Sequence, residues 1–119
     1  IDYINVHGTA TPLGDVAEII AIEKLFGEEA KNLNISATKS MTGHLLGAAG
    51  AIETLATLLA IVKGIIPPTI NLEKLDENLN PNLNYTINKA QKREVKAALC
   101  NTFGFGGHNA SVIIKKYTE

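Results

Sequence analysis

The chain has 119 residues, 45% of them hydrophobic, and a formal net charge of −1 from 11 basic and 12 acidic side chains. This length suits one domain with a buried core, and the near-neutral charge gives no electrostatic reason to expect a nucleic acid or an anionic membrane as partner. The single cysteine, Cys100, excludes an intrachain disulfide and favours a reducing compartment.

The first part of the chain predicts a strand, a loop and a helix. Residues 3–6 alternate as a short strand that runs directly into a glycine-punctuated loop at 7–14. Because a chain rarely begins inside such an element, we expect the natural N-terminus to lie further upstream. Asp15 and Glu18 have the spacing of a capping box at the start of a helix, which Gly27 ends.

The remainder predicts one long apolar helix and several strands. Residues 45–62 are apolar almost all round and long enough to span a membrane, but Glu53 in the middle of the segment favours a central helix of a soluble core. A domain of 119 residues can hardly surround such a helix alone, so we expect part of the protein to be missing. Strand candidates at 34–37, 95–102 and 110–116 complete a β-α-β-α-β-β order, which predicts an α/β domain with a mixed sheet.

Two of the three histidines, His7 and His44, lie in glycine-flanked loops at element boundaries. Such loops commonly hold the functional sites of α/β proteins. Lys39 lies five residues before His44, and a cation beside an imidazole lowers the pKa of the ring and favours its neutral form. Neutral imidazoles with an inward N–H can stabilise an oxyanion or an enolate.

Other chemical interpretations are weaker. A zinc site would join His7, His44 and His108, which are separated by 37 and 64 residues and include no close ligand pair. The glycines of 104–107 lack the Gly-Lys-Ser/Thr ending of a phosphate loop, and their backbone N–H groups are instead candidates for an oxyanion hole. Cys100 lies within a predicted strand, without the electropositive setting of a nucleophile, and is predicted to be structural.

The chain carries three motifs in order: VHGTATPLGD at 6–15, TKSMTGHLLGAAG at 38–50 and NTFGFGGHN at 101–109. Together they resemble the β-ketoacyl-acyl carrier protein synthases, and most closely the synthase II type of fatty-acid elongation. The resemblance implies a thiolase-like fold, in which two similar α/β halves pack together. Residues 1–119 would form the second half, a layered α/β domain with a mixed sheet and a buried central helix.

The implied reaction is a decarboxylative Claisen condensation, in which an acyl group is loaded onto a cysteine and attacked by the carbanion that forms when malonyl-acyl carrier protein loses carbon dioxide. That cysteine belongs to the family's first half, so the 119-residue chain alone is expected to be inactive. The implied partners are acyl carrier protein, malonyl and acyl thioesters, and a second copy in a cytoplasmic homodimer, with no nucleic acid and no membrane. No cofactor is required, since the carrier protein brings the phosphopantetheine, but a structural monovalent cation is a candidate.

The resemblance assigns catalytic roles by position. His7 and His44 resemble the pair that holds the malonyl thioester oxygen and stabilises the enolate, and Lys39 resembles the lysine that supports His44. Phe105 resembles the gating phenylalanine, whose backbone N–H joins the oxyanion hole. His108 departs from the family, because many members have threonine there, a change that either alters the hairpin or adds a titrating group near the gate.

Binding roles are implied for five further residues. Thr9 and Thr11 resemble contacts to the phosphopantetheine arm. A monovalent-cation site, or a structural polar site, is implied by three residues that resemble the family's groups there: Asn5, Glu53 and Asn101. Because positions 44 and 53 would lie on opposite sides of one continuous helix, we expect the histidine to precede the helix and Glu53 to face Lys39.

Two other functions remain open at this stage. A polyketide ketosynthase domain performs the same chemistry on other substrates, and a chain-length-factor-like subunit shapes a pocket without catalysing the reaction. An inert subunit has no chemical need for His7, Lys39 and His44 together, so their presence argues against the second of these.

Overall fold

The computed structural model describes residues 1–118 and is organised around a four-stranded mixed sheet of order β2-β1-β5-β6. The first three of these strands run parallel to one another, and β6 is antiparallel to β5. A separate antiparallel pair, β3-β4, lies outside this sheet. The strands are β1 Tyr3–Asn5, β2 Asn34–Ser36, β3 Ile65–Ile66, β4 Gln91–Lys92, β5 Ala97–Gly104 and β6 His108–Lys115.

Three α-helices connect these strands: α1 Gly14–Phe26, α2 Lys39–Thr42 and α3 Ala49–Lys63. Short 3₁₀ turns follow α1 at Gly27–Asn32 and precede α3 at Leu46–Ala48. Gly64 ends α3 in the left-handed conformation, with φ 62°, which glycine adopts without the steric cost that a Cβ imposes. The α/β class predicted from the sequence is therefore confirmed.

Side chains alternate across the sheet and form a core on each face. Ile4 of β1 packs with Ile19 and Ile22 of α1, whereas its neighbour Tyr3 packs on the other face with Ala60 and other residues from α3. The sheet is thus enclosed by α1 on one side and α3 on the other, as a layered α/β domain requires.

The helix α3 is buried on one side only. Its inward residues include Glu53 and Thr57, while a row of large apolar side chains remains exposed on the opposite side, comprising Ile52, Leu55, Leu58, Leu59 and Val62. The segment Leu46–Lys63 has the length and hydropathy of a membrane span, but the buried ion pair of Glu53 marks it as a core helix. The predicted central helix is therefore covered on its sheet side and bare on the other.

Two local predictions are wrong. No capping box forms, because α1 begins at Gly14 and the carboxyl groups of Asp15 and Glu18 accept hydrogen bonds from loop backbone N–H groups instead. The strand candidates 95–102 and 110–116 leave a connection of seven residues, 103–109, but only three residues separate the strands, since β5 and β6 continue to the pair Gly104–His108. Positive φ angles at both glycines of 106–107, 84° and 81°, allow this tight turn.

Candidate active site

The candidate residues meet at the carboxyl edge of the sheet. Since β1, β2 and β5 are parallel, the residues that follow them lie at the same edge. His7 follows β1, Lys39 follows β2, and Phe103 lies near the end of β5. This edge brings together three segments that are far apart in the sequence.

The position of His7 is set by a buried carboxyl group on α1. Glu18 accepts hydrogen bonds from the backbone N–H of His7 at 3.0 Å, from that of Gly8 at 3.2 Å, and from the side-chain amide of Asn101 at 3.1 Å. Burial raises the pKa of the Glu18 carboxyl, and these hydrogen bonds oppose the rise. Glu18 therefore acts as the anchor of the loop that carries the histidine.

Close packing of two loops also requires a glycine beside His7. Gly8 has a φ of 45°, and a Cβ at this position would lie 2.6 Å from the Cβ of Ala37. A separation below 3.0 Å is one that real Cβ atoms essentially never show. The glycine thus lets the loop after β1 approach the loop after β2, which carries Lys39.

Both histidine rings are held in the same tautomer by the backbone. The Nδ1 atom of His7 accepts a hydrogen bond from the N–H of Phe103 at 3.2 Å, and that of His44 accepts one from the N–H of Leu46 at 3.0 Å. A nitrogen that accepts carries no proton, so each neutral ring has its proton on Nε2. The two rings lie 5.7 Å apart between centroids, at 86° to one another.

Electrostatics favour the neutral form of His7. Burial lowers its pKa, and the neighbouring Lys39 and His44 lower it further. The ring also packs against that of Phe103, at 5.3 Å between centroids. At neutral pH the arrangement therefore presents an uncharged His7 imidazole with an N–H donor, whereas the sequence spacing had placed Lys39 beside His44.

Lys39 is buried and shared between two acceptors. Its Nζ atom donates to the backbone carbonyl of His7 at 2.6 Å and forms an ion pair with Glu53 on α3. The side chains of this pair are only 5% and 3% exposed. The predicted orientation of Glu53 towards Lys39 is confirmed, as is the position of His44 ahead of α3. The direct contact of the lysine is with His7, whereas the resemblance implied support of His44.

The three residues proposed around a cation belong to two separate networks. Asn5 donates to the backbone carbonyl of Glu53 and accepts from Thr38, while Asn101 donates to Glu18. Glu53 Oε2 has no hydrogen-bond partner among the described residues, but the Lys39 ammonium already neutralises this carboxylate. The role of these three residues at a cation site stays a prediction. No cluster of three or more His, Cys, Asp or Glu side chains suited to a metal occurs within residues 1–118.

Of the residues expected to bind substrate or to gate the site, only Thr9 lines the cleft that contains His44. Thr9 lines a cleft of about 410 Å³ together with Lys39 and His44. Thr11 is not among the residues that line this cleft and instead lies over Gly14, where its Oγ1 atom occupies the space that a Cβ would need. Phe105 is fully exposed at the tip of the β5-β6 hairpin.

Sequence reasoning missed two residues of the site, Glu18 and Phe103. Glu18 was assigned to a helix cap, although its acidic side chain lies one turn inside α1 and is buried. Phe103 contributes through its backbone N–H, which no side-chain pattern reveals. Its partner His7 is 96 residues away, and only the parallel pairing of β1 with β5 brings the two together.

Cys100 is only 4% exposed and lies in β5, where it pairs with Asn5 of the parallel neighbour strand β1. Burial raises the pKa of its thiol, which opposes formation of the thiolate that a nucleophile requires. The environment agrees with the structural role predicted from the sequence.

Comparison of the sequence with known protein families identifies the family of this chain. The family described as Beta-ketoacyl synthase, C-terminal domain, matches residues 1–73. The chain belongs to the β-ketoacyl synthase family. A relative from Vibrio harveyi, named 3-oxoacyl-[acyl-carrier-protein] synthase 2, is 50% identical over 100% of this chain and 28% of its own length. The chain thus spans less than a third of that relative.

Solved structures of ketosynthases confirm the thiolase-like fold. One is described as a type II PKS acyl-carrier protein in complex with its ketosynthase bound to the hexaketide, with a TM-score of 0.93, 36% identity and coverage of 99% of this chain and 28% of that one. A β-ketoacyl synthase from Burkholderia phymatum aligns with a TM-score of 0.90 and 38% identity, over 99% of this chain and 28% of that one. The sheet order and the layered packing are therefore those of this fold.

Proposed function

We propose that this chain is the C-terminal part of a 3-oxoacyl-acyl carrier protein synthase, which catalyses the decarboxylative Claisen condensation of fatty-acid elongation. The observation that carries the proposal is the pair of imidazoles, His7 and His44, whose Nδ1 atoms are occupied by backbone donors and whose Nε2 atoms are left to donate. Two neutral donors on adjacent rings suit a carbonyl oxygen that gains negative charge.

In the proposed reaction, the two Nε2–H groups bind the thioester carbonyl oxygen of the malonyl group. The bond between the malonyl α-carbon and its carboxylate breaks, carbon dioxide leaves, and the electron pair is delocalised into the enolate oxygen that the histidines hold. The α-carbon then attacks an acyl thioester and expels a cysteine thiolate supplied from outside this chain. Protonation of His7 would disrupt its acceptor contact with the N–H of Phe103, so its lowered pKa supports the reaction near neutral pH.

Lys39 and Glu18 position this machinery. Lys39 fixes the carbonyl of His7, and Glu18 fixes the N–H of the same residue, so both polar groups of its backbone are held. Preorganised donors need little rearrangement as charge develops, which is the main source of such stabilisation. An inert chain-length-factor-like subunit has no use for this network.

Substrate delivery is proposed to come from acyl carrier protein. Thr9 lies in the cleft beside His44 and is suited to contact the phosphopantetheine arm, while Thr11 lies further from that cleft. Phe105, at the exposed hairpin tip, is proposed to contribute its backbone N–H to an oxyanion hole and its ring to a gate. A solved relative in complex with an acyl-carrier protein supports this partnership.

The exposed row of α3 supports the proposed division into two halves. We assign residues 1–119 to the second half and expect the first half to cover Leu55 and Leu59, which are 51% and 46% exposed. Contiguous apolar surface of this kind is uncommon on isolated soluble domains. A cytoplasmic homodimer belongs to the same proposal.

Decarboxylation of malonyl-acyl carrier protein tests the proposal directly. The protein expressed from its complete gene should release carbon dioxide, and the variants His7→Ala and His44→Ala should each lose at least about 100-fold in rate. A matched control is His108→Ala, which removes an imidazole that makes no hydrogen bond with either ring in the described structure. Equal losses in all three variants would contradict the assigned roles.

A polyketide ketosynthase is the second candidate, because the ketosynthase of a type II polyketide system is among the structural relatives. The 50% identity to a synthase 2 against 36% to that ketosynthase favours fatty-acid elongation. Comparison of saturated acyl primers with poly-β-ketoacyl primers separates the two functions. A preference for the ketoacyl chains would overturn the fatty-acid assignment.

A further inference from the structure

The basic residues of this chain are segregated, which its net charge of −1 conceals. Six of the 11 lie in segments that adjoin one another at the amino edge of the main sheet. We call these six the basic cluster: Lys63, Lys92, Arg93, Lys96, Lys115 and Lys116.

Backbone contacts join the segments that carry the basic cluster. The N–H of Arg93 donates to the carbonyl of Gly64, which directly follows Lys63 at the end of α3. The N–H of Lys116 donates to the carbonyl of Lys96 at 2.8 Å. The five lysines of the cluster are all exposed, so their charges face solvent within one continuous region.

Acidic side chains are fewer than basic ones in this region, and the turn Gly27–Asn32, which meets Arg93 through the carbonyl of Asn32, adds Glu29 and the ion pair Glu28–Lys31 at its border. In the described stretches 1–3, 63–66, 91–97 and 115–117, the acidic side chains are Asp2 and Glu94. Asp2 pairs with Arg93 at 3.2 Å and also accepts from the backbone N–H of Lys96 at 2.8 Å. The lysines of the cluster therefore remain as a net positive patch.

The patch is remote from the candidate active site. Lys96 precedes β5 and Phe103 lies near its end, which places them about 23 Å apart along the extended strand. A thioester group held by the histidines therefore does not reach the patch, which lies at the opposite edge of the sheet.

The chemistry of the patch favours an anionic lipid surface. Its free charges are all lysines, which act as flexible point charges, whereas specific recognition of carboxylate or phosphate groups favours the rigid fork of arginine. The cluster's one arginine is engaged by Asp2. Ile65, opposite Lys92, and Tyr117, beside Lys116, are 42% and 84% exposed and add apolar and amphipathic contacts of the kind found at membrane interfaces.

We propose that the basic cluster attaches this protein peripherally to anionic phospholipid membranes. The attachment is electrostatic and reversible, and it leaves the cleft beside His44 open at the opposite edge of the sheet. It is independent of the reaction assigned to the histidines.

Vesicle co-sedimentation of the protein expressed from its complete gene tests this proposal. Binding to vesicles with about 30% phosphatidylglycerol in phosphatidylcholine should exceed binding to pure phosphatidylcholine by at least about tenfold at low salt, and should fall steeply as salt shortens the Debye length. The triple variant K92Q/K115Q/K116Q should lose at least about tenfold in partition coefficient.

The matched control is K24Q/K31Q/K74Q, which removes the same number of exposed lysines outside the cluster. It should keep binding within about twofold of the wild type, since Lys31 is already paired with Glu28 and counterions screen the other two charges. Equal binding to both vesicle types, or equal losses in the two variants, would overturn the proposal. Capture by an acidic protein without vesicle binding would also overturn it. Unchanged condensation rates in both variants would separate this result from any failure of the proposed reaction.

Discussion

Substitution of Lys39 by methionine tests the link between the buried ion pair and the chemistry of His7. Methionine fills much of the volume of the lysine stem but removes its charge. The Glu53 carboxylate would then be buried with neither oxygen partnered, since Oε2 already has no partner among residues 1–118. Loss of one member of a buried pair costs about 3–5 kcal/mol.

The double variant K39M/E53M isolates the charge from the volume. With both charges absent, the main remaining defect is the carbonyl of His7, which loses its donor at a cost of about 1–3 kcal/mol. The double variant should therefore recover at least about 2 kcal/mol of the loss seen in the single variant. Urea unfolding of the protein expressed from its complete gene measures both values, and the exposed pair Lys31–Glu28 provides the control, because K31M should leave stability unchanged.

The same variants predict a change in pH dependence. Burial, Lys39 and His44 all lower the pKa of His7, so removal of the lysine raises that pKa towards the ordinary value of about 6.5. More of the ring is then protonated at a given acidic pH, and the acid limb of malonyl decarboxylation should move to higher pH. Because the folded-state pKa is depressed, wild-type stability should fall as the pH drops below about 6.5, with a shallower slope in the variants.

Two results would refute this reasoning. A double variant as unstable as K39M would show that the cost does not come from the orphaned carboxylate. An acid limb that stays in place, in a double variant that folds, would show that the lysine charge does not reach the His7 ring. The second result would leave Lys39 with a purely structural role.

Three further substitutions test separate parts of the site. Glu18→Gln places a side-chain donor against one of the N–H groups of the loop. It should lower the free energy of unfolding in urea by about 1–3 kcal/mol and should also lower kcat. Glu18→Asp should not restore kcat. Gly8→Ala should destabilise the protein by about 1–3 kcal/mol because of its φ of 45° and the contact with Ala37, whereas Gly47→Ala, which meets no atom within 4 Å, should be tolerated. Cys100→Ala should keep condensation activity, and the native thiol should resist alkylation; rapid labelling with iodoacetamide and loss of activity together would contradict its structural role.

Elements with a clear pattern in the sequence were predicted well. The strand before His7, the end of α1 at Gly27 and the ion pair between Lys39 and Glu53 all follow from local spacing and from the need to pair a buried carboxylate. Glycine-rich motifs also marked the correct loops. These features depend on residues whose partners are near in sequence, or on a buried charge that requires a partner of opposite charge.

Elements that depend on distant pairing were not predicted. Glu18 had the spacing of a helix cap, yet the donors from which its carboxylate accepts were decided by the course of the loop at 7–8 and by Asn101 on β5. The hairpin was predicted too long because the pairing of β5 with β6 extends past the apolar residues to Gly104–His108. A pattern of apolar residues indicates which part of a strand is buried. Where β5 and β6 extend beyond the core, the apolar pattern ends but the backbone pairing continues, so the pattern does not predict the ends of these strands.

The tautomers of the two histidines show why side-chain motifs alone define this site incompletely. Each Nδ1 is occupied by a backbone N–H, from Phe103 in one case and Leu46 in the other. The direction of the two Nε2–H groups is therefore fixed by strand register at β5 and by the turn before α3, where Leu46 itself has a φ of 52°. A substitution that keeps both histidines but shifts either backbone segment would alter which ring nitrogen donates, and would remove the geometry proposed to stabilise the enolate without changing either histidine.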